Sequence, residues 1–317
     1  MENLFAVAVQ VGVLFALMAV GFVCRKRRLL NDVCVKGIVD LLVLVVTPAL
    51  VLHAFERPFA PSMLRGLGFA ALFAFAGHLA AIAFVTVFLR HRDTAKQNVL
   101  RVAAVFSNAG FMGVPLEQAL LGDVGVFYGV VYVGIFNLVI WSWGYCTMRG
   151  VSMRTLTGSS AKLMFINPGT VGIALGLPLF FSSFTLPTVL HVPVKCLADL
   201  NTPLAMIVIG YYLAGAKPGA MFRLPHAYVA AVFRLVAYPL LMIGALVVFR
   251  NPLALDPTMM LALVVSASAP VAAMTSMLAA KYGSDVELSV GLVSGTTLLS
   301  ILTMPAVISF AMSVFGM

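Results

Sequence analysis

The sequence predicts an all-α integral membrane protein in which ten transmembrane helices form two inverted five-helix repeats. Three observations lead to this fold class: the composition, the recurrence of long apolar segments and the placement of basic residues between them. Of the 317 residues, 62% are hydrophobic and only 10% are charged, and the mean hydropathy is +1.07. A soluble domain carries roughly a quarter of charged residues, so this chain has too little polar surface to face water on all sides.

Apolar segments long enough to span a lipid bilayer recur along the whole sequence. About twenty predominantly apolar residues are needed to cross the hydrocarbon core as a helix. Because these segments follow one another closely, the sequence leaves no room for a separate soluble domain. The ten predicted segments cover residues 4–24, 33–55, 63–89, 98–121, 124–147, 168–184, 189–214, 226–248, 257–281 and 287–315.

Basic residues are concentrated in alternate loops between these segments. Positive residues mark the cytoplasmic loops of membrane proteins, so we assign the cluster Arg25–Arg28 to the cytoplasm. This orientation places both termini on the non-cytoplasmic side of the cell (inner) membrane. The net charge of +9 is then a topology signal, and no nucleic-acid partner is expected. The other cytoplasmic cations are Arg90, Arg92, Lys96, Arg101, Arg149, Arg154, Lys162, Lys217, Arg223 and Lys281, against Arg57, Arg65 and Arg250 outside.

The chain divides near its midpoint into two halves. We expect a first five-helix repeat over residues 1–150, a cytoplasmic linker over 151–166 and a second repeat over 167–317. The second segment contains Lys36 and Asp40, and the seventh contains Lys195 and Asp199 at the same offset of 159 residues. Because each half has five helices, the two copies have opposite orientations, as in inverted-repeat transporters.

Two segments at corresponding places in the halves are interrupted. The fourth contains Asn108, Gly110 and Pro115, and the ninth contains Pro270 followed by Thr275. A broken helix is tolerated in lipid where its freed backbone groups face protein or a cavity, and paired breaks indicate a transport site. The N-termini of half-helices then favour an anion. The alternative is that glycine and proline act only as packing devices.

Asparagines in the apolar segments are the candidates for direct contact with a substrate. The primary amide of Asn108 can hold a carboxylate without a buried charge, and Asn137 in the fifth segment is a second candidate. Both also fit interhelical hydrogen bonds. The predicted substrate-binding set is Asn108, Gly110, Pro115, Asn137, Pro270 and Thr275.

Ionisable residues within the segments are candidates for ion coupling or for support of the site. Asp40 lies four residues after Lys36, so the two can form a structural pair on one helix face. Glu117 either takes a proton in a coupling cycle or lies in the outer interface. Arg234 neutralises a helix end, contacts the substrate or extends its side chain towards the interface.

No enzyme signature is present in the sequence. It lacks the His-Glu-x-x-His, P-loop and Gly-x-Ser-x-Gly patterns, so an enzyme is not expected. The four cysteines match no metal or redox motif, and no metal or cofactor is predicted. A coupling proton or sodium ion stays open.

Several motifs match one family of carriers over nearly the whole chain. The most specific is Ser-Asn-Ala-Gly-Phe-Met-Gly-Val-Pro-Leu at 107–116. The others are Gly21 to Asp32 with Pro48-Ala49-Leu50, Asn167-Pro168, Leu197-Ala198-Asp199 with Pro203-Leu204 and Gly210, and Ala269-Pro270 with Ala280 to Gly283. With these motifs the sequence resembles the auxin efflux carrier family, which includes plant auxin exporters and bacterial malate or malonate carriers.

The resemblance implies that helices four and nine cross at their breaks and that a carboxylate binds beside the crossing, in contact with Asn108. Helices one, two, six and seven would form a scaffold, often dimeric, against which the other six move. The short stretch 148–166 is similar to that of the bacterial type. Unlike many bacterial members, this chain is apolar from Val271 to Met274.

The function that we expect is secondary active transport of a small organic anion by alternating access. The expected partners are this anion, the lipid bilayer and a second copy of the chain. One alternative is a membrane sensor that binds a ligand without net transport, although no output domain is visible. A channel is the other, although no filter segment is visible.

Overall fold

The computed structural model describes residues 2–155, 168–215, 219 and 224–317. Within these residues the chain is helical, and no β-strand is present beyond one isolated bridge. Lys162, Asn167, Lys217, Arg223 and residues 156–166 of the predicted linker lie outside the described part of the chain.

The helices in the described residues agree with the multi-pass prediction. They are α1 (Glu2–Lys26), α2 (Asp32–Phe55), α3 (Pro61–Phe88), α4 (Thr94–Val105), α5 (Ala109–Arg149), α6 (Pro168–Ser182), α7 (Thr188–Gly215), α8 (Pro225–Leu253), α9 (Pro257–Ser268), α10 (Met274–Tyr282) and α11 (Val286–Phe315). Seven of those described, namely α1, α2, α3, α5, α7, α8 and α11, are long and apolar enough to cross a membrane. The all-α, multi-pass prediction is therefore confirmed.

Short polar residues define the start of four helices. Asn31, Asp93, Asp256 and Asp285 precede α2, α4, α9 and α11, and each side chain accepts a hydrogen bond from a backbone N–H in the following turn. These N-caps satisfy donors that have no partner within the helix. The sequence thus marks where these helices begin.

Three helices contain a π-helical turn two residues before a proline. The turns Leu42–Val46, Ala109–Gly113 and Phe233–Ala237 precede Pro48, Pro115 and Pro239. Proline lacks the N–H that bonds residue i−4, and its ring collides with that carbonyl group. The wider π turn makes room for the ring, so the helix continues through each proline.

Helix α5 changes direction at Gly122, which separates an arm over 109–121 from an arm over 123–149. Gly122 has φ 62° and ψ −155°, a non-helical conformation that side-chain-bearing residues rarely adopt. The bend coincides with the predicted boundary between segments 98–121 and 124–147.

The helices pack in two groups. In the four-helix group (α1, α2, α6 and α7), α1 packs against α7, and α2 packs against α6 and α7. In the crossing group (α3, α4, α5, α8, α9, α10 and α11), α9 packs against α5, α8 and α11. The groups meet where α1 contacts α11 and where α2 and α6 contact α5.

Two glycines allow α1 and α7 to approach closely. A Cβ on Gly21 would lie 2.0 Å from the carbonyl oxygen of Ile207, and one on Gly210 would lie 1.8 Å from that of Met18. Small residues permit such backbone contact between membrane helices, where apolar burial gives little driving force. This contact therefore depends on the absence of side chains at both positions.

Large apolar side chains are exposed on the surface, and several polar side chains are buried inside the protein. Val189 and Leu302 are 82% and 75% exposed, whereas His78, Glu117 and Arg234 are fully buried. Exposure of so many apolar side chains to water would be unfavourable, and contact of these polar side chains with lipid would also be unfavourable. The distribution is that of a protein surrounded by lipid.

Candidate functional site

Two interrupted helices cross within the crossing group. Helix α4 ends at Val105 and α5 begins at Ala109, while α9 ends at Ser268 and α10 begins at Met274. The connecting residues 106–108 and 269–273 leave their helices and pass each other. The interruption of the predicted fourth segment therefore lies before Gly110 and Pro115.

The two connecting stretches satisfy each other's backbone groups. Asn108 N–H donates to the carbonyl oxygen of Pro270 at 2.7 Å, and Ala272 N–H donates to that of Phe106 at 2.9 Å. The pairing is antiparallel. The N–H of Val271 donates to Thr296 Oγ1 of α11 at 3.1 Å. Backbone groups released by the breaks thus find partners that lipid cannot offer.

Arg234 of α8 binds the C-terminal ends of both interrupted helices. Its guanidinium donates to the carbonyl oxygen of Val105 at 2.9 Å and to that of Ala267. The side chain is fully buried, with Cζ 4.3 Å from the ring centre of Tyr238. Helix C-termini carry partial negative charge, so two of them compensate this buried cation. Arg234 therefore lies at helix ends and holds them together.

A cavity of about 310 Å³ lies beside the crossing. It is bounded by α2 and α7 from the four-helix group and by α5, α10 and the connecting stretches from the crossing group. Small-molecule sites begin at about 300 Å³, so the cavity fits a small ligand. Among the described residues its wall is mostly apolar and contains no charged side chain. The polar groups on the wall come from Thr47, Ser107, Asn108, Asn137, Trp141 and Asn201.

Asn108 presents a free amide to this cavity. Its backbone N–H and carbonyl groups are bonded to Pro270 and Met112, but its side chain makes no hydrogen bond within the described part of the chain. The residue is only 6% exposed. Because the amide is accessible from the cavity, a ligand there could bond it in place of water.

The cavity is also bordered by the N-termini of two helices. Gly110 lies in the first turn of α5, and Ala273 and Met274 lie at the start of α10. The first N–H groups of a helix lack helical partners and carry partial positive charge. Asn137 faces the same space, and its Nδ2 donates to the carbonyl oxygen of Val133 at 3.0 Å. In the described part of the wall, helix N-termini and amides therefore supply the polar groups, and no charged side chain is present.

The other three predicted binding residues are not on the cavity wall. Pro115 is buried in the regular part of α5 beyond the π turn. Pro270 accepts the backbone bond from Asn108, and its ring is buried. Thr275 is fully buried, and its Oγ1 has no partner among the described residues. Their positions support the crossing and do not bring them to the cavity.

Glu117 joins the two arms of α5 to α9. Its Oε1 accepts a hydrogen bond from Ser266 Oγ at 2.6 Å, and the residue is fully buried. Gly129 faces the carboxyl group so closely that a Cβ there would lie 1.6 Å from Oε2. No cation pairs with Glu117 in the described part of the chain. Glu117 thus lies inside the crossing group and does not line the cavity.

Asp40 is exposed on α2 and is not part of the cavity wall. In the described residues no ion pair joins it to Lys36. The corresponding pair in α7 is formed, with Lys195 Nζ 3.2 Å from Asp199 Oδ2. The two Lys-x-x-x-Asp copies therefore differ in contact although they share their spacing.

Sequence reasoning did not identify Thr47 and Asn201, which line the cavity from α2 and α7. Thr47 follows the π turn of α2, and Asn201 follows the break in α7 at Leu200. Thr47 belongs to a Thr-Pro pair, and Asn201 immediately precedes another, Thr202-Pro203. This pair, present in both halves, was the available signal.

These features define a class: a multi-pass helical membrane protein with a small cavity at the crossing of two broken helices. A family model described as "Membrane transport protein" matches residues 6–162 and 151–308, which together span most of the chain. The chain therefore belongs to the auxin efflux carrier family of membrane transport proteins. No curated protein matches it. Family membership implies a transporter rather than an enzyme, and assignment to the bacterial type stays a prediction.

Replacement of Arg234 tests its role at the helix ends. In Arg234→Lys the ammonium group can no longer bond both Val105 and Ala267 in the fork geometry of guanidinium. One buried carbonyl group loses its partner, which should cost about 1–3 kcal/mol of stability. We expect a lower midpoint of thermal unfolding in detergent. Arg250→Lys, on the same helix but half-buried at its end, is the control, and equal midpoints for the two variants would contradict the assignment.

Proposed function

We propose that this protein is a secondary transporter that moves a small organic anion across the membrane by alternating access. The observation that carries the proposal is the free amide of Asn108, held beside two helix N-termini in a cavity between the two helix groups. Family membership supports transport, and the cavity supports the class of cargo.

We further propose ten membrane crossings in two inverted halves. The 41 residues of α5 would extend about 60 Å as one helix, roughly twice the hydrocarbon core, so the arms on each side of Gly122 are separate crossings. Helix α4 with the first arm of α5, and α9 with α10, each make one interrupted crossing. The second arm of α5 adds one crossing, and α1, α2, α3, α6, α7, α8 and α11 add seven, so the total is ten. Loop charges then put both termini outside the cytoplasm.

A carboxylate is the cargo group that best fits the cavity. The cavity offers amide donors and helix N-termini but no cationic side chain among the described residues, and its wall is mostly apolar. Partial charges favour an anion without a full cation that would bind it too tightly to release. A volume of about 310 Å³ limits the cargo to a small molecule.

Movement of the crossing group against the four-helix group would expose the cavity to each side in turn. The backbone pairing at 106–108 and 269–272, together with Arg234, ties the crossing group together. The cavity lies where the two groups face each other. A relative shift can therefore open the cavity without breaking the bonds of the crossing.

Labelling of single cysteines tests the orientation. We consider a variant without its four native cysteines that carries either Met153→Cys or Pro58→Cys, both at exposed positions. A membrane-impermeant maleimide added to intact cells should label position 58, which is predicted to be outside. Position 153 should react only after permeabilisation. The reverse pattern would contradict the orientation.

Transport assays test the role of Asn108. When labelled small carboxylates are added outside proteoliposomes, we expect saturable uptake, and Asn108→Ala should raise its KM by about tenfold or more. This corresponds to one lost hydrogen bond to a charged group, worth about 1.5–3 kcal/mol. Asn108→Asp, which places a negative charge beside the anion, should abolish uptake.

Asn251→Ala is the matched control, since Asn251 is exposed at the end of α8 and is not on the cavity wall. It should transport as the wild type does. Tight binding of a carboxylate by the wild type with no flux under any ion gradient would contradict transport and leave a ligand-binding protein.

Glu117→Gln tests whether Glu117 carries a coupling proton. The amide preserves the size of the side chain and the acceptor for Ser266, but it cannot release a proton. Uptake by the wild type should respond to an imposed proton gradient, and uptake by the variant should not. Glu287→Gln, an exposed carboxyl group at the start of α11, is the control. A gradient response that survives in Glu117→Gln would exclude Glu117 as the coupling group.

A further inference from the structure

Three side chains with metal-ligating groups lie together at one end of the four-helix group. His53 is in the last turn of α2, Glu56 follows that helix, and His191 is in the first turn of α7. One nitrogen or oxygen atom from each lies within 4.8 Å of those from the other two. We call this set the His-Glu-His cluster.

The carboxyl group of Glu56 is the fixed member of the cluster. Its oxygens lie 2.9 and 3.0 Å from Nδ1 of His191, and Oε1 also accepts the backbone N–H of Leu186 at 2.8 Å. The side chain is only 4% exposed. A hydrogen bond to a ligating carboxylate orients it for a metal, so the bond from Leu186 provides this support.

His53 has one ring nitrogen facing a carboxylate and the other free. Its Nε2 lies 3.7 Å from Asp123 Oδ2, whereas its Nδ1 is buried without a hydrogen-bond partner in the described residues. Its ring centre is 5.4 Å from that of His191. Metal-ligating histidines commonly direct their second nitrogen to a carboxylate in this way. An ion pair between His191 and Glu56 alone would leave the position of Nδ1 of His53 unexplained.

We propose that His53, Glu56 and His191 bind one zinc ion. Zinc takes imidazole nitrogen and carboxylate oxygen at about 2 Å in tetrahedral geometry, so its ligand atoms lie about 3.3 Å apart. Reaching this spacing from 4.8 Å requires side-chain shifts of about 1.5 Å at most. His191 is 37% exposed, which leaves an entry path and a fourth position for water. Imidazole donors disfavour magnesium and calcium.

Bound zinc would join the end of α2 to the start of α7 within the four-helix group. One of its ligands, His53, faces Asp123 beside the bend of α5, which belongs to the crossing group. Because this contact links the two groups, we expect zinc occupancy to slow movement of the crossing group past the four-helix group. This consequence rests on the proposed transport function, whereas binding itself does not.

Zinc titration of the full-length chain in detergent, with any affinity tag removed, tests the cluster. Calorimetry should give one zinc ion per chain for the wild type and at least about tenfold weaker binding for Glu56→Gln and His191→Ala. Glu56→Gln keeps an acceptor for Leu186, so it preserves the local fold. His91→Ala is the matched control, because His91 and His226 have rings 5.3 Å apart outside any three-ligand group of the described residues. It should bind zinc as the wild type does.

The absence of zinc binding by the wild type would overturn the proposal, as would unchanged affinity in both ligand variants or equal affinity for magnesium. In proteoliposomes, zinc on the side of the cluster should slow uptake by the wild type but not by Glu56→Gln. Unaltered uptake with zinc bound would overturn the effect on movement. Absence of uptake without zinc would contradict the transport function and leave the binding result intact.

Discussion

The structure depends on the need to satisfy backbone groups where two helices break inside a membrane. Each unpaired N–H or C=O in hydrocarbon costs several kcal/mol, so a break needs partners from the protein itself. Across the crossing, the N–H of Asn108 donates to Pro270 and that of Ala272 donates to Phe106. Thr296 Oγ1 accepts the N–H of Val271. Arg234 donates hydrogen bonds to carbonyl groups at the C-terminal ends of α4 and α9. With its backbone bonded on both sides, Asn108 can present its side chain to the cavity.

The same arrangement separates the charges of the helix ends. The negative C-terminal ends of α4 and α9 face the guanidinium of Arg234, which they compensate. The positive N-terminal ends of α5 and α10 border the cavity. The full positive charge of Arg234 therefore lies inside the crossing group, while the described part of the cavity wall carries only partial charges. This division supports the proposed anionic cargo, because no cationic side chain on the described wall would hold the anion too tightly for release.

Much of the fold could be predicted because its signals are local. Apolar length defines the spans, N-cap residues begin several helices and Gly122 marks the bend of α5. The fourth segment was predicted to be interrupted at a stretch containing Asn108, Gly110 and Pro115. The break lies at 106–108 and not at the proline, because the π turn over 109–113 accommodates the proline ring. Asn108 was predicted because its primary amide, in an interrupted segment, can hold a carboxylate without a buried charge. Asn201 was missed, because its position on the cavity wall depends on how α7 packs beside α2.

By itself the sequence determined a helical membrane protein, the approximate spans and the two interrupted segments. Hydropathy and helix propensity are properties of neighbouring residues, so they can be read along the chain. Tertiary structure alone decided the partners of buried polar groups: Arg234 bonds a carbonyl group 129 residues away, and Glu117 bonds Ser266 across 149 residues. It also brought His53 and His191 together. Such pairs form only when the helices pack, because residues far apart in sequence are then buried side by side and must satisfy each other's hydrogen-bonding groups.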